Sequence, residues 1–364
     1  MDTQPHLLVC ISAHGFGHVA QTAPVLNALS ERMPDLRITV RSMAPMSHLR
    51  TRIHCPFHYV REGGDIGMLM SSALDTQVNE TAAAYQQLHR DWGLTVSNEA
   101  RSLREIAPDF VLSNVGYLAL AGAHRAGIPC AGMSSLNWGD VLNHYCGAIS
   151  GTHQIVEQIR LSYANAGAFL QLAPNMPMPN LENRISIGPV AYVGRNRREE
   201  IDEFFGLTRG EKLVLVSLGG FDSHFPTEHW PRIPGVRWLI PASWRSGHPD
   251  ALMLEALEMH FSDVLASSDA LICKPGYGSF VEAACSGVPV LYASRADWPE
   301  TPYLTKWLEE NSTCKEVSRK KLESGDFFDE LYDIVDTPAK PPAAAYGIAQ
   351  AVEWLTQRLQ PQVP

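Results

Sequence analysis

One stretch of this chain is the most informative about its fold: Cys273-Lys274-Pro275-Gly276-Tyr277-Gly278-Ser279-Phe280-Val281-Glu282-Ala283-Ala284-Cys285-Ser286-Gly287-Val288-Pro289-Val290-Leu291. It predicts the end of a buried strand over 270–273, a glycine-rich turn, a short helix and a new strand over 288–293. Gly276 and Gly278 supply backbone freedom and allow a ligand to approach the main chain closely. Gly287 is placed to end the helix in the left-handed conformation, and Pro289 prevents it from continuing.

The helix in this stretch is expected to open at Ser279, with its free N–H groups and positive dipole end directed at an anionic ligand. Glu282 then lies one turn into the helix, close enough to reach hydroxyl groups of that ligand. The same two residues also form a capping box, in which each side chain satisfies a backbone N–H group of the other residue. The motif by itself leaves phosphate binding, ribose binding and a purely structural role open.

Composition indicates a soluble globular protein of two domains, because 364 residues can bury two cores. The net charge of -10 argues against nucleic acid or an anionic bilayer as the main partner. No segment has the run of apolar residues that a membrane span needs, and the N-terminus does not read as a signal peptide. Seven scattered cysteines without Cys-x-x-Cys spacing indicate reduced thiols and a cytoplasmic location.

The first half of the chain alternates strands with helices. An apolar run over 7–12 predicts a buried strand, followed by the turn His14-Gly15-Phe16-Gly17-His18 and a helix with Thr22 as its cap and Pro24 in its first turn. The stretch 71–106 is expected to be helical. Further strands are predicted over 38–41, 57–61, 110–113 and 128–133. This alternation is typical of a parallel sheet built from right-handed crossover units.

A proline-rich break at 174–179 and a charged stretch at 193–200 place a domain boundary near residue 193. The alternation then restarts with a strand over 213–218 that leads into Gly219-Gly220. The predicted fold class is therefore α/β, with two tandem Rossmann-like, doubly wound domains. The predicted division of the chain is a first domain over 1–193, a linker over 194–211, a second domain over 212–340, and a C-terminal helix and tail over 341–364 that packs back on the first domain.

The first turn also fits a dinucleotide fingerprint, because Gly15-Phe16-Gly17-His18-Val19-Ala20 has the form G-x-G-x-x-A after a strand. An NAD(P) enzyme is thus an alternative, in which Arg41 at the end of the second strand would favour the phosphorylated cofactor. The fingerprint normally has an acidic residue there, and an imidazole is an unusual choice within a phosphate turn. His14 and His18 are four residues apart, but they flank a glycine turn and have no third ligand cluster, so no metal site is predicted.

Taken together, the two turns resemble those of glycosyltransferases of the GT-B fold, in which two Rossmann-like domains face each other across a cleft. The resemblance implies that the second domain binds a nucleotide-sugar donor: Gly276, Gly278 and Ser279 the diphosphate, and Glu282 the ribose. It also implies that Gly219 and Gly220 face the diphosphate, that Phe261 lies where main chain recognises the base, and that the loop after the next strand touches the donor sugar. The implied donor-binding residues are Gly219, Gly220, Phe261, Lys274, Gly276, Gly278, Ser279, Glu282, Asp297 and Glu300.

The first domain is similar to the peptidoglycan N-acetylglucosaminyltransferase, and more closely to predicted glycosyltransferases and the glycosyltransferase-like domain fused to some sugar kinases. The resemblance rests on the His-Gly-Phe-Gly-His turn, on Gly127-Ile128-Pro129 and on Asn137-Trp138-Gly139-Asp140. It implies that His18 is a catalytic base supported by His14. Several relatives have an acid where this chain has Asn114, so Asp65 or Asp140 is a candidate for that role. The acceptor-side or base-orienting candidates are Gly15, Gly17, Asp65, Asn114, Asn137 and Asp140.

These features predict a glycosyltransferase that moves a sugar from a nucleotide-sugar to an acceptor with inversion. The donor is a co-substrate, no cofactor or metal is expected, and the acceptor is a small molecule, a glycan or a lipid. Two other functions stay open: a nucleotide-sugar 2-epimerase of the same fold, and a non-catalytic nucleotide-sugar-binding protein.

Overall fold

A computed structural model describes residues 4–72, 75–218 and 226–360. The described chain divides into two compact units. Unit 1 comprises the residues up to Ser71, Asp75–Val190 and the residues from Tyr346 onward, and unit 2 comprises Ala191–Ala345 together with Ser72. The sequence predicted boundaries at 193 and 340.

Unit 1 is built on a parallel sheet in the order β3-β2-β1-β4-β5-β6-β7. Its strands are β1 (His6–Ile11), β2 (Arg37–Arg41), β3 (His58–Val60), β4 (Phe110–Asn114), β5 (Cys130–Ser134), β6 (Ala168–Leu172) and β7 (Arg184–Ile187). Its first helices are α1 (Gly17–Arg32), α2 (Met46–Arg52), α3 (Val78–His89), α4 (Trp92–Ile106), α5 (Tyr117–Ala126), α6 (Trp138–Cys146) and α7 (Thr152–Ala164). β1 and β4 are buried along their whole length, as continuous apolar runs in a sheet covered on both faces predict.

Unit 2 repeats the architecture with a parallel sheet in the order β10-β9-β8-β11-β12-β13. Its helices are α8 (Arg198–Phe205), α9 (Phe261–Ala266), α10 (Tyr277–Ser286), α11 (Thr301–Asn311), α12 (Arg319–Ser324) and α13 (Phe328–Asp336). Its strands are β8 (Lys212–Ser217), β9 (Val236–Ile240), β10 (Ala251–Met253), β11 (Ala270–Cys273), β12 (Val290–Ala293) and β13 (Cys314–Val317). Trp230, Trp238 and Phe327 pack edge to face in its core.

The chain then returns to unit 1 through α14 (Gly347–Leu359). This helix packs on α1 and buries a stripe formed by Ala351, Val352, Leu355 and Leu359. The predicted return of the C-terminal helix to the first domain and the predicted fold class of two Rossmann-like units are therefore confirmed.

The structure corrects several local predictions. Helix α1 begins at Gly17, so Thr22 is not its cap and Pro24 lies inside the helix; the Thr22 hydroxyl instead donates to the His18 carbonyl at 2.8 Å. The stretch predicted as one helical region over 71–106 holds two helices, because Asp91 caps α4 by accepting from the backbone N–H of Leu94. The stretch predicted as linker contains α8, which belongs to unit 2.

Candidate functional site

The candidate site of unit 1 lies where the strand order reverses. β1 and β4 are adjacent and parallel, with Ile11 paired to Asn114. After β1 the sheet continues toward one edge through β2, and after β4 it continues toward the other edge through β5. The carboxyl ends of strands at such a switch point are where doubly wound sheets bind ligands. The turn after β1 carries His14 and His18, and β4 ends at Asn114.

A buried hydrogen-bond network fixes the imidazole of His18. Its Nδ1 lies 2.8 Å from Asn114 Oδ1. The Asn114 amide is oriented by its own NH2 group, which donates to Gln21 Oε1 and to Thr22 Oγ1, each at 3.0 Å. Because Oδ1 of Asn114 can only accept, His18 carries its proton on Nδ1 and presents a basic Nε2.

Burial lowers the pKa of His18, and the Asn114 hydrogen bond and the Asp65 carboxylate partly offset that effect. The ring is 5% exposed. At neutral pH the imidazole is therefore uncharged, which is the form that a general base needs.

Trp138 connects the remaining polar groups of this site. Its indole Nε1–H donates to Asp65 Oδ2 at 2.6 Å. The rings of His14 and His18 lie edge-on to the indole, with centroid distances of 5.1 and 5.6 Å. Asp65 and Trp138 are 73 residues apart in sequence, so no local pattern connects them; the resemblance alone points to the segment that contains Trp138.

Asn137 and Asp140 form the cap of α6. Asn137 Oδ1 accepts from the Asp140 backbone N–H at 2.9 Å, and its amide donates to the Asp140 carboxylate at 2.8 Å. The other oxygen of Asp140 faces Arg160 at 3.2 Å. This cap and ion pair account for both residues, and of the two candidate acids only Asp65 bears on His18.

The glycines of the first turn have different roles. Gly15 has φ of 71°, a conformation that favours glycine. Gly17 is the first residue of α1, and a Cβ added there would meet no described atom within 4 Å. Packing therefore does not require a glycine at position 17, and the space beside the helix N-terminus is open to a ligand.

The candidate site of unit 2 occupies the corresponding switch point, between β8 and β11. Gly219 and Gly220, predicted to face a diphosphate, lie outside the described residues. The glycine turn after β11 is described, and it leads into α10.

Helix α10 begins two residues earlier than predicted. Gly276 is its N-cap, no side chain makes a cap hydrogen bond, and Ser279 is the third helical residue. The capping box of Ser279 and Glu282 is therefore wrong, because neither residue is at the helix end. Glu282 lies in the second turn and is 1% exposed, whereas Ser279 is half-buried.

Gly276 and Gly278 lie at the start of α10. The φ of Gly276 is -167°, which any residue adopts, and a Cβ added there would meet nothing among the described residues closer than the Lys274 carbonyl oxygen at 3.9 Å. As at Gly17, the described structure does not explain the glycine. Gly278 is buried within the first turn.

Lys274 joins β11 to this turn. Burial, with nearby Arg295 as a second cause, lowers the pKa of Lys274 to about 7. A lysine whose charge changes near neutral pH at a helix N-terminus is suited to binding an anion.

The remaining donor-side candidates lie at helix starts and on the loop after β12. Phe261 is the half-buried first residue of α9, and Glu300 is the buried residue that precedes α11. Glu300 accepts from the Trp298 indole at 3.3 Å. Asp297 is exposed, with its carboxylate 4.0 Å from Arg295 Nε.

The contacts of Arg41 weaken the NAD(P) alternative. The Arg41 guanidinium is buried and forms an ion pair with Glu99. It is thus engaged within unit 1 instead of being available to a 2′-phosphate. Within residues 4–72, 75–218 and 226–360 no group of three or more His, Cys, Asp or Glu side chains could hold a metal ion, and no helix is long and apolar enough to cross a membrane.

Comparison with known proteins places this geometry in context. The chain is 25% identical over 321 residues to an L-arabinokinase of Arabidopsis thaliana, an alignment that covers 87% of this chain and 31% of the relative. The chain thus spans about a third of the length of that protein. No known protein-family profile matches the chain.

Solved structures share the fold over the whole chain. The calicheamicin glycosyltransferase CalG4 matches with a TM-score of 0.65 at 16% identity and covers all of both chains. A UDP-N-acetylglucosamine 2-epimerase matches with a TM-score of 0.56 at 13% identity, covering 98% of this chain and 95% of its own. The predicted resemblance to the GT-B fold is confirmed; at these identities the likeness concerns the fold.

Proposed function

We propose that this protein is a glycosyltransferase that moves a sugar from a nucleotide-sugar to a hydroxyl-bearing acceptor. The fold is shared with a glycosyltransferase and with an enzyme named for a UDP-sugar. The observation that carries the proposal is the His18–Asn114 pair, in which a neutral, tautomerically fixed imidazole stands at the ligand-binding edge of a doubly wound sheet.

In the proposed reaction, His18 Nε2 takes the proton of the acceptor hydroxyl while the acceptor oxygen forms a bond to the anomeric carbon of the donor sugar. The bond from that carbon to the diphosphate oxygen breaks, and the diphosphate leaves with the electron pair. Attack on the face opposite the leaving group inverts the anomeric centre. A general base of this kind contributes about 10²–10⁴-fold to the rate.

Unit 2 is proposed to bind the donor. The backbone N–H groups at the start of α10 and the Lys274 ammonium stabilise the diphosphate as its negative charge increases. Glu282 is proposed to accept hydrogen bonds from the ribose hydroxyls. Because a helix N-terminus and an ammonium group meet the diphosphate charge, the proposed reaction uses no divalent metal.

A nucleotide-sugar 2-epimerase is the second candidate, favoured by the full-length structural likeness to such an enzyme. That reaction consumes the nucleotide-sugar without an acceptor, and it calls for carboxylates beside the sugar. We assign that part to Asp65, whose carboxylate accepts from the Trp138 indole at 2.6 Å and partly offsets the lowering of the His18 pKa.

The first experiment is a thermal-stability screen against UDP-, dTDP- and GDP-sugars, including a donor with L-arabinose because of the relative's name. The donor that stabilises the protein is then incubated with acceptors, among them free L-arabinose. Glycosylated acceptor supports a transferase, and an altered sugar formed without acceptor supports an epimerase. If no nucleotide-sugar stabilises the protein, the proposal fails.

The second experiment compares His18→Ala with His14→Ala in single-turnover reactions. We expect His18→Ala to slow turnover by about 10²–10⁴-fold with donor affinity nearly unchanged, because the proposed donor site lies on unit 2. His14→Ala is the matched control, since its ring contacts the same indole without the Asn114 hydrogen bond. Near-wild-type turnover in His18→Ala would remove His18 from the mechanism.

A further inference from the structure

The residue in contact with His18, Asn114, does not meet all the electrostatic needs of a histidine base. Asn114 fixes the tautomer of the ring, but an amide carries no charge and cannot offset the imidazolium that forms when His18 accepts a proton. In a buried setting that positive charge is costly unless a negative group lies nearby.

Asp65 lies on the connection between β3 and α3 and reaches the site from a different direction. Its position is set by the 2.6 Å hydrogen bond from Trp138 Nε1, and Trp138 in turn lies edge-on to the His18 ring. Among the described residues Asp65 makes no ion pair, whereas Asp140 pairs with Arg160 and Glu99 with Arg41. Within the part of the chain that the structure describes, the Asp65 carboxylate is therefore not committed to a cationic partner and can act as a counter-charge in this site.

The other groups around His18 do not supply a negative charge. Asn114 from β4 is neutral, and His14 from the first glycine turn carries no negative charge and packs against the same indole. Burial raises the pKa of the three tyrosines around Asp65 well above the usual value, so they stay protonated at neutral pH; they are Tyr85 of α3, Tyr117 of α5 and Tyr163 of α7.

We infer that Asp65 is a positioning residue that supplies, through its indole-held carboxylate, the counter-charge for the His18 imidazolium, while Asn114 supplies the tautomer. In a direct His–Asp pair one carboxylate both fixes the tautomer and supplies the counter-charge. Here the Asn114 amide, in contact with His18, fixes the tautomer, and Asp65, held by the Trp138 indole, supplies the counter-charge. The inference concerns the same site as the proposed function and rests on it for its catalytic meaning.

The test follows the His18 ring by NMR in protein labelled on histidine, with the His18 signal assigned by its loss in His18→Gln. Asp65→Asn keeps the size of the side chain and an oxygen to accept from Trp138, and removes the charge. We expect the pKa of His18 to fall in Asp65→Asn, because the imidazolium loses its counter-charge, and to return in Asp65→Glu. Asp140→Asn is the matched control and should leave the His18 titration unchanged.

The kinetic arm measures kcat/KM against pH with the donor identified above. Asp65→Asn should move the acid limb to lower pH and reduce the plateau on the order of tenfold, with the KM for donor unchanged. An unchanged His18 titration in folded Asp65→Asn overturns the inference, whatever the rates. The NMR arm needs no sugar transfer, so a failed transferase assay refutes the proposed function and leaves this inference decided by the titration.

Discussion

Asn114→Ala offers the sharpest test of how this site is built. The substitution removes three hydrogen bonds of 2.8–3.0 Å: the one from His18 Nδ1 and those to Gln21 and Thr22. At about 1 kcal/mol net for each bond, the free energy of unfolding should fall by about 3 kcal/mol, and somewhat more where buried partners stay unsatisfied. The rate should fall too, because nothing then holds the His18 proton on Nδ1.

The upper limit of the rate effect is the whole contribution of the base, about 10²–10⁴-fold. The assay pairs urea denaturation with single-turnover rates for Asn114→Ala, His18→Ala and the double variant. If Asn114 acts through His18, the double variant should be no slower than His18→Ala, since residues that act as a unit are not additive.

Asn183→Ala is the matched control. Asn183 donates two hydrogen bonds of 2.9 Å to the carbonyls of Tyr163 and Ala166 and makes none with His18 or Asn114, so its loss should cost stability without slowing the reaction. The reasoning is refuted if Asn114→Ala destabilises the protein but turns over at the wild-type rate. It is also refuted if the double variant is slower than His18→Ala by the full factor of Asn114→Ala.

Three further predictions concern unit 2, and a fourth concerns the absence of a metal. Gly276→Ala should fold with an unchanged melting temperature and lose nucleoside diphosphate affinity in calorimetric titrations; unchanged affinity would mean that no ligand approaches this main chain. Glu282→Ala should weaken donor binding by about 1–3 kcal/mol, while Ser279→Ala should leave the melting temperature unchanged because Gly276 is the cap; a drop in melting temperature alone for Glu282→Ala would make that residue structural. Affinity for the nucleoside diphosphate should fall as pH rises through about 7, where Lys274 loses its charge, and this pH dependence should be absent in Lys274→Arg. Turnover should persist in EDTA, and a rate lost in EDTA and restored by magnesium or manganese would refute metal independence.

The sequence was informative about the sheets because buried parallel strands are continuous apolar runs. Four strands carry such runs: β1, β4, β8 and β11. β1 leads into the histidine turn and pairs with β4, and β11 leads into the glycine turn before α10 and pairs with β8. β6, β7 and β10 were not predicted. β7 and β10 are short and only partly buried, so their composition does not distinguish them from loops. β6 is as long as β4 and fully buried, and neither its length nor its burial accounts for the miss.

Helix starts were predicted less well, for one physical reason. Side-chain capping rules placed the starts of α1 and α10 at Thr22 and Ser279, yet both helices begin at the glycine turn without a side-chain cap. A helix N-terminus that is open toward a ligand has no side chain covering its N–H groups, so the usual cap signal is absent where binding is expected.

Contacts between segments that are distant in sequence could not be predicted from local sequence patterns. Asn114 was singled out by the resemblance, because several relatives have an acid at that position, and the structure places it 2.8 Å from His18. The Asp65–Trp138 contact depends on where the connection after β3 runs, and no local pattern in 61–70 specifies that path.

The return of α14 to unit 1 has a consequence for synthesis. During translation, the sheet of unit 1 is complete once Val190 has left the ribosome, but the face of α1 that α14 covers stays bare until all of unit 2 has been made. Nascent chains of intermediate length therefore expose an apolar strip and are the stage most open to chaperone binding or aggregation. A fragment ending at residue 190 should inherit that exposed strip permanently, whereas joining 346–360 to it by a short flexible linker should restore a soluble, cooperatively folding unit.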